Sequence, residues 1–416
     1  MQKAWKRIEL GLVAVGLCLA LLLTAAIPVC EAGPDEEEVV KLGLFAVFTG
    51  PIATTVIPAN YAMLDCVRYL NEHGGINGIK VDMLWEDTKA WVPESIRAYK
   101  RFKYAGVVGV HCYSSTPIET LLPQFQRDEI PNLSLIPLTR GMLSKPPWVF
   151  GTTPGFGPEA VTMMKWMKDN WTEERPLKFG VLMYDHSSAW DALEGIKEYA
   201  PKLGIEFVGY EILGAPPVPP IDVSVQWLRL AGKNPDWVYV YSCGSFLVVP
   251  MKDAGRLEIQ KRGIKLCCNY IGGDEYLLKV VGERDSEGWF ILSPVRYPTE
   301  REEFGGVAPA LYESAKKWRG YEPEEVCSHY LLGWIGTSVL IEGVRLAIEK
   351  VGFENLNGRA VRDGLASIKD FETGVFPRVS ISDEKPFWTP RVRLCQVRKL
   401  EIWPYTDWLE PVYTYT

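Results

Sequence analysis

Few residues in this chain have the types and spacing to do chemistry. Asp185-His186-Ser187-Ser188 gathers the residue types of a nucleophilic triad within four positions. Side chains adjacent on one loop seldom reach triad geometry, so a hydroxyl nucleophile is disfavoured there. Glu86-Asp87 offers two carboxylates for acid–base work, but neighbouring acids on a strand point to opposite faces. A helix-cap or loop role suits that pair better. The four histidines, His73, His111, His186 and His329, are scattered, and no CxxC pair occurs, so a zinc site of ordinary spacing is disfavoured. The sequence has no GxSxG elbow, Walker loop, GxGxxG or HExxH. The chemistry left is that of binding: loops rich in hydroxyls, glycine and aromatics.

Those loops need elements to hold them, and the pattern is strand–helix alternation. Val39 to Phe48 reads as a buried strand, Ala59 to Glu72 as a helix stopped by Gly74-Gly75, and Lys80 to Trp85 as the next strand. Pro93 to Tyr104 reads as a helix and Val107 to His111 as a strand; a helix through Gln126 and a strand near Asn132 to Ile136 follow. The alternation restarts with a strand at Leu177 to Tyr184, a helix at Trp190 to Leu203 and a strand at Ile205 to Ile212. Ser224 to Ala231 then reads as a helix, and Trp237 to Tyr241, Lys265 to Tyr270 and Gly288 to Ser293 as strands. Arg391 to Ile402 alternates polar and apolar residues, as one half-exposed strand does. The fold class expected is α/β, with two doubly wound parallel-sheet lobes. Lys145-Pro146-Pro147 and Thr152-Thr153-Pro154 read as a crossover, and Ala215 to Pro220 as a stiff surface loop.

In open α/β sheets ligands sit beyond the carboxyl ends of the strands. That selects Thr49–Thr55, Glu86–Trp91, Cys112–Thr116 and Pro137–Arg140 in the first unit. In the second it selects Asp185–Trp190, Ser242–Phe246 and Tyr270–Glu275. Such loops suit a small polar or amphipathic molecule. Of the 15 tryptophans, Trp190, and after it Trp85 and Trp91, stand where a ligand belongs; Trp237, Trp289 and Trp334 fall in element interiors.

The chain has 416 residues, more than one core usually organises, so two lobes are expected. Its formal net charge of −7 argues against nucleic acid or anionic lipid as partners. Lys3, Lys6 and Arg7 precede an uncharged stretch, Leu10 to Cys30, with small residues near its end. This is the layout of a secretory signal peptide over residues 1–32, with a retained membrane anchor as the alternative. Without it seven cysteines remain, an odd number in a compartment that permits disulfides.

The stretch Asn71-Glu72-His73-Gly74-Gly75-Ile76-Asn77-Gly78 resembles an element of the type I periplasmic substrate-binding proteins of ABC transporters, the branched-chain amino acid (Leu/Ile/Val) group. Thr49-Gly50-Pro51, Glu86-Asp87-Thr88 with Pro93, Ser114-Ser115-Thr116 and Ser286-Glu287-Gly288 follow in the family's order, and the likeness spans residues 39–405. The resemblance implies a non-enzymatic protein without cofactor or metal that captures a solute between two lobes joined by three hinge crossovers. It implies delivery to a membrane permease driven by an ATPase, a periplasmic or other extracytoplasmic location, and a monomer. It places one lobe at 39–153 and 295–372 and the other at 154–294 and 373–416.

Carried over by position, the resemblance puts the ligand carboxylate at Tyr113, Ser114 and Ser115, with Thr139 in the next carboxylate loop. It puts the second lobe's aromatic contact at Trp190, further contacts at Ser242 and Cys243, and the first loop's contact at Thr55. A plain turn at Tyr113–Ser115 and a core role for Trp190 are the competing readings. By the same resemblance, Tyr270 or Ile271 stands where amino-acid binders usually carry an acid for the ligand's ammonium, and Asp274 and Glu275 come a few residues later. If neither acid reaches the cleft, an amide, an aromatic acid or another small carboxylate fits better than an α-amino acid, because a buried ammonium needs a carboxylate. Tyr113, Trp190 and Tyr270 would then form a stacking box. A ligand-binding sensor subunit and an exported enzyme are the alternatives to transport.

Overall fold

The computed structural model describes residues 38–415. The leader expected over residues 1–32 lies outside them. Two sheets organise the described chain, one five-stranded and one seven-stranded.

The first sheet has the order β2-β1-β3-β4-β5, from β1 (Val39–Ala46), β2 (Lys80–Asp87), β3 (Val110–Cys112), β4 (Asn132–Ser134) and β5 (Val149–Phe150). The pairings β1–β3, β3–β4 and β4–β5 are parallel. Helices α1 (Ala53–Glu72), α2 (Val92–Ala105) and α3 (Ser115–Asp128) make the crossovers. β1 is apolar on both faces apart from Lys41, as a strand covered on both sides must be. Gly43 brings α2 close: a Cβ there would meet the Phe102 ring at 2.9 Å. Phe102 packs edge-on against Phe45, with ring centroids 5.2 Å apart.

The second sheet has the order β12-β11-β10-β9-β8-β6-β7. Its parallel part is β6 (Lys178–Met183), β7 (Glu206–Ile212), β8 (Trp237–Tyr241), β9 (Lys265–Asn269) and β10 (Phe290–Ser293). Helices α4 (Phe156–Asp169), α5 (Ser187–Tyr199), α6 (Ser224–Ala231), α7 (Ser245–Arg256), α8 (Glu275–Val281) and α9 (Glu283–Ser286) accompany it. The expected single strand over Arg391 to Ile402 is instead a hairpin, β11 (Arg393–Arg398) and β12 (Glu401–Pro404), with β11 antiparallel to β10 and β12 antiparallel to β11. Lys399 and Leu400 turn the chain with φ of 53° and 65°. The alternation of side chains continues through so short a turn, which is why the pattern reads as one strand.

The chain passes between the sheets three times: after β5, after β10, and before β11. Two passages are hydrogen-bonded side by side. Gly151 N donates to Pro386 O, Trp388 N to Gly151 O and Thr389 N to Thr152 O at 2.7 Å. Between the second and third passages lie α10 (Ala308–Arg319), α11 (Ser328–Val351) and α12 (Gly358–Leu365). These helices pack on α1 and on one another, so this stretch covers the first sheet. α11 is long and apolar enough to cross a membrane, but most of it is buried within the protein, which makes it a core helix. Arg319 pins the group through two bonds to Asp65 (2.7 and 2.6 Å), and Tyr330 donates to the same carboxylate.

Helix starts differ from the sequence pattern in one direction. α1 begins at Ala53, not Ala59, and carries Pro58 inside it; α5 begins at Ser187, ahead of Trp190. Proline usually marks a helix start, but at the sixth helical position it removes only one early backbone bond.

Candidate functional site

A cavity of about 730 Å³ lies between the carboxyl ends of the two parallel sheets. In each sheet the strand order reverses once, between β1 and β3 and between β6 and β8. Such switch points open a crevice, because the crossovers leave in opposite directions. Pro51 and Ile52 follow β1, and Tyr113 to Thr116 follow β3. Tyr184 to Ser188 follow β6, and Cys243 and Phe246 follow β8. Lys89–Pro93, Ile136, Phe156, Trp190, Pro216, Pro217 and Ile271 complete the wall. The stiff surface loop at Ala215 to Pro220 thus gives two prolines to the cavity.

The two switch points touch across the cleft. Ser115 Oγ lies 2.9 Å from Ser187 Oγ and 3.2 Å from His186 Nδ1. Thr116 Oγ1 lies 3.2 Å from Ser187 Oγ and 3.3 Å from His186 Nε2. A second contact is made by Ser245, whose hydroxyl donates to Pro51 O at 2.9 Å. Gly244 permits it: its φ is 52°, and a Cβ there would stand 2.9 Å from the same carbonyl. Outside the cavity, Arg140 N donates to Asp191 Oδ1 and its guanidinium to Glu194.

The residues singled out in the sequence divide into two groups. Tyr113, Ser114, Ser115, Trp190 and Cys243 line the cavity. Thr55, Thr139, Ser242 and Tyr270 stand behind its wall. Tyr270 is buried and donates to Leu135 O at 3.2 Å, tying the second lobe to the end of β4. It does not join Tyr113 and Trp190 as a third wall of a box. Thr139 donates to Glu119 at 2.6 Å. Ser242 is buried at the end of β8, where its N–H donates to Asn269. Thr55 lies one turn into α1 and borders a smaller apolar recess of about 260 Å³. Trp85 is exposed on β2 and stacks edge-on against Phe48, whereas Trp91 lines the cavity.

The reading by single positions missed the cavity's apolar and imidazole components. Phe156, Tyr184 and Phe246 are aromatic walls at element starts and ends; only Phe246 falls in a loop that the strand-end rule selects. His186 carried a signal that could have been used. A hydroxyl-rich turn follows β3 and another follows β6, at matching points of two like units.

The triad types at Asp185–Ser188 do not form a relay. Asp185 Oδ1 accepts from Trp190 Nε1 at 2.7 Å, while His186 Nδ1 faces Ser188 Oγ at 2.9 Å and Ser115. The imidazole stacks on Tyr184, with centroids 5.0 Å apart and ring planes nearly parallel. Burial lowers its pKa to about 4, so it is neutral at ordinary pH. The Cys243 thiol is pushed up to about 12 by burial. Neither group is poised as base or nucleophile. No cluster of three or more metal-ligating side chains exists among the described residues.

Two parallel-sheet lobes, tied by three passages and closing on a mixed apolar and hydroxyl cavity, define a cleft-type binding protein. The chain belongs to the periplasmic binding protein family, whose profile it matches over residues 39–399. No curated protein matches it in sequence. Among solved structures it is similar to a branched chain amino acid ABC transporter from Thermus thermophilus with bound valine, at 17% identity and a TM-score of 0.79. That match covers 90% of this chain and 97% of the other. It is similar to a fatty acid ABC transporter substrate-binding protein from Thermomonospora curvata (17%, TM-score 0.76, 90% and 93% covered). An ABC transporter substrate-binding protein of Aeropyrum pernix shares 19% identity with a TM-score of 0.73, over 91% and 97% of the two chains.

Proposed function

We propose that the protein is the extracytoplasmic solute receptor of an ABC importer. It captures a small amino-acid-like, carboxylate or amide solute between its lobes, taken as 39–153 with 295–372 and 154–294 with 373–416. A monomer delivers that solute to a membrane permease coupled to an ATPase. The single observation that carries this reading is the cavity itself, built by both switch points and bridged by Ser115 and Ser187.

The mechanism follows from where the bonds fall. Every contact made across the cleft is lost when the lobes part, and the passages at Gly151–Thr152 and Pro386–Thr389 provide a paired hinge. A solute that touches both walls binds the closed state better than the open one, and only that difference shifts the population. Tyr113, Ser114 and Ser115 on one wall and Trp190 and Cys243 on the other are the proposed contacts. Thr55, Thr139, Ser242 and Tyr270 act from behind the wall in this scheme. His186, neutral and hydrogen-bonded to the opposite lobe, holds the closed form without adding charge.

A thermal-shift screen of amino acids, amides, ureas and aromatic acids tests capture. At one hundred times its dissociation constant a ligand adds about 2.7 kcal/mol. Turnover of the stabilising compound would instead support an exported enzyme.

A further inference from the structure

The cavity is buried at one end and open at the other. Tyr113, Ser115, Phe156, Tyr184 and Phe246 are buried at its inner end, where the lobes meet through Ser115 and Ser187. Lys89 to Pro93 on one lobe and Pro216 and Pro217 on the other form the outer end, where Trp91 is 40% exposed. At about 730 Å³ the space exceeds what a free amino acid needs. Leucine, at about 30 Å³ for each non-hydrogen atom, would fill well under half of it. Cavities of about 300–1,000 Å³ enclose ligands of drug size.

The outer end is built from strained backbone. Lys89 and Ala90 have φ of 55° and 59°, and Trp91 N closes their turn on Thr88 O at 2.8 Å. Turns with both central residues in the left-handed region normally carry Gly, Asn or Asp, because a larger side chain is unfavourable there. Such outliers persist only where the surroundings enforce them, and they gather at functional sites. Asp87 does the enforcing: its carboxylate accepts from Lys89 N at 3.2 Å, Phe48 N at 3.1 Å and the Thr49 hydroxyl at 2.7 Å. The turn leads into α2 with Trp91 at its cap, and Lys89 Nζ stands 5.5 Å from the centroid of the Trp91 ring.

Among the lining residues only Lys89 and Asp185 carry charged side chains, His186 being neutral. Asp185 stands on the opposite lobe and accepts from the Trp190 indole N–H. Lys89 forms no ion pair among the described residues. An ammonium laid near an aromatic face without a counter-charge suits an anionic group at the mouth.

We infer that Lys89 and Trp91 form an outer subsite for the anionic end of an elongated solute, an aromatic or acyl carboxylate longer than a free amino acid, whose body runs along the cavity. The inference rests on the solute-capture reading and specifies its ligand.

Two matched pairs test it on the native protein by calorimetric titration: 4′-hydroxybiphenyl-4-carboxylate against its carboxamide, and 10-hydroxydecanoate against 10-hydroxydecanamide. Within at least one pair the acid binds about fivefold or more tighter than the amide, as a partly exposed ion pair gives. Lys89→Met brings the acid down to the amide's affinity, whereas Lys89→Arg keeps the preference. Salt at about 1 M, where the screening length is about 3 Å, erases the preference in the parent. An acid that binds no tighter than its amide overturns the inference. So does a preference that survives Lys89→Met, because the carboxylate then sits elsewhere in the cavity. If neither pair binds while a smaller solute compacts and stabilises the protein, the ligand class is wrong and capture stands. If no solute in any class compacts it, capture itself fails and the inference falls with it.

Discussion

Ser115 Oγ stands 2.9 Å from Ser187 Oγ, joining the first residue of α3 to the first residue of α5 across the cleft. Both helices leave switch points of their sheets, so this contact exists only when the lobes are closed. One such hydrogen bond contributes about 1 kcal/mol. Ser115→Ala and Ser187→Ala should each weaken capture about fivefold, and because the two share one bond the double variant should lose less than the sum of the two. Calorimetry on the four proteins reads the coupling. Fully additive losses would mean that the two hydroxyls act separately.

Trp190 holds its ring between the cavity and Tyr210, edge-on at 5.9 Å, and anchors its N–H on Asp185. Trp190→Ala should keep the circular dichroism of the parent and lose the ligand-induced rise in melting temperature. A preserved rise would move Trp190 from the site to the core.

Glu159 sits buried beneath the cleft in α4 with Thr153 donating to it at 2.8 Å, and burial raises its pKa to about 8. The folded protein therefore keeps a proton that the unfolded chain releases near 4.5. The resulting stability is fully present below that value and is lost as pH rises through 8. Every tenfold change in proton affinity corresponds to about 1.4 kcal/mol, so Glu159→Gln should gain a few kcal/mol over the parent between pH 5 and 9. Urea melts at pH 5, 7 and 9 check it; a difference that does not change with pH would contradict the assignment.

All seven cysteines among the described residues are reduced and buried. Burial raises the thiols of Cys66, Cys112, Cys243 and Cys395 to about 12. Thiolates are the reactive form, so these seven groups should resist a thiol reagent at pH 8 in the native protein and react on unfolding. Rapid labelling of any of these seven, located by peptide mapping, would show a thiol that the fold leaves open.

Much of the scaffold was legible because apolar runs alternate with helix-period segments, and β1, β6 and β8 are covered on both faces. The Asn71–Gly78 stretch then identified the family by its glycines: Gly75 has φ of 70°, and a Cβ there would collide with the Ile79 carbonyl. The site was legible to the level of loops. Which side chain in a loop faces the cavity depends on a helix start, and these moved by up to six residues. Thr139 and Tyr270 sit on the expected loops, yet their hydroxyls turn to Glu119 and Leu135. The pairing of His186 with Ser115 joins positions 71 residues apart and has no local signature.

Small-angle scattering with and without ligand tests solute capture most directly. Once the thermal-shift screen yields a stabilising compound, saturating the protein with it should shrink the radius of gyration, because the switch points must part to admit a solute and meet to enclose it. A compound that binds tightly and leaves the radius unchanged would contradict capture by closure.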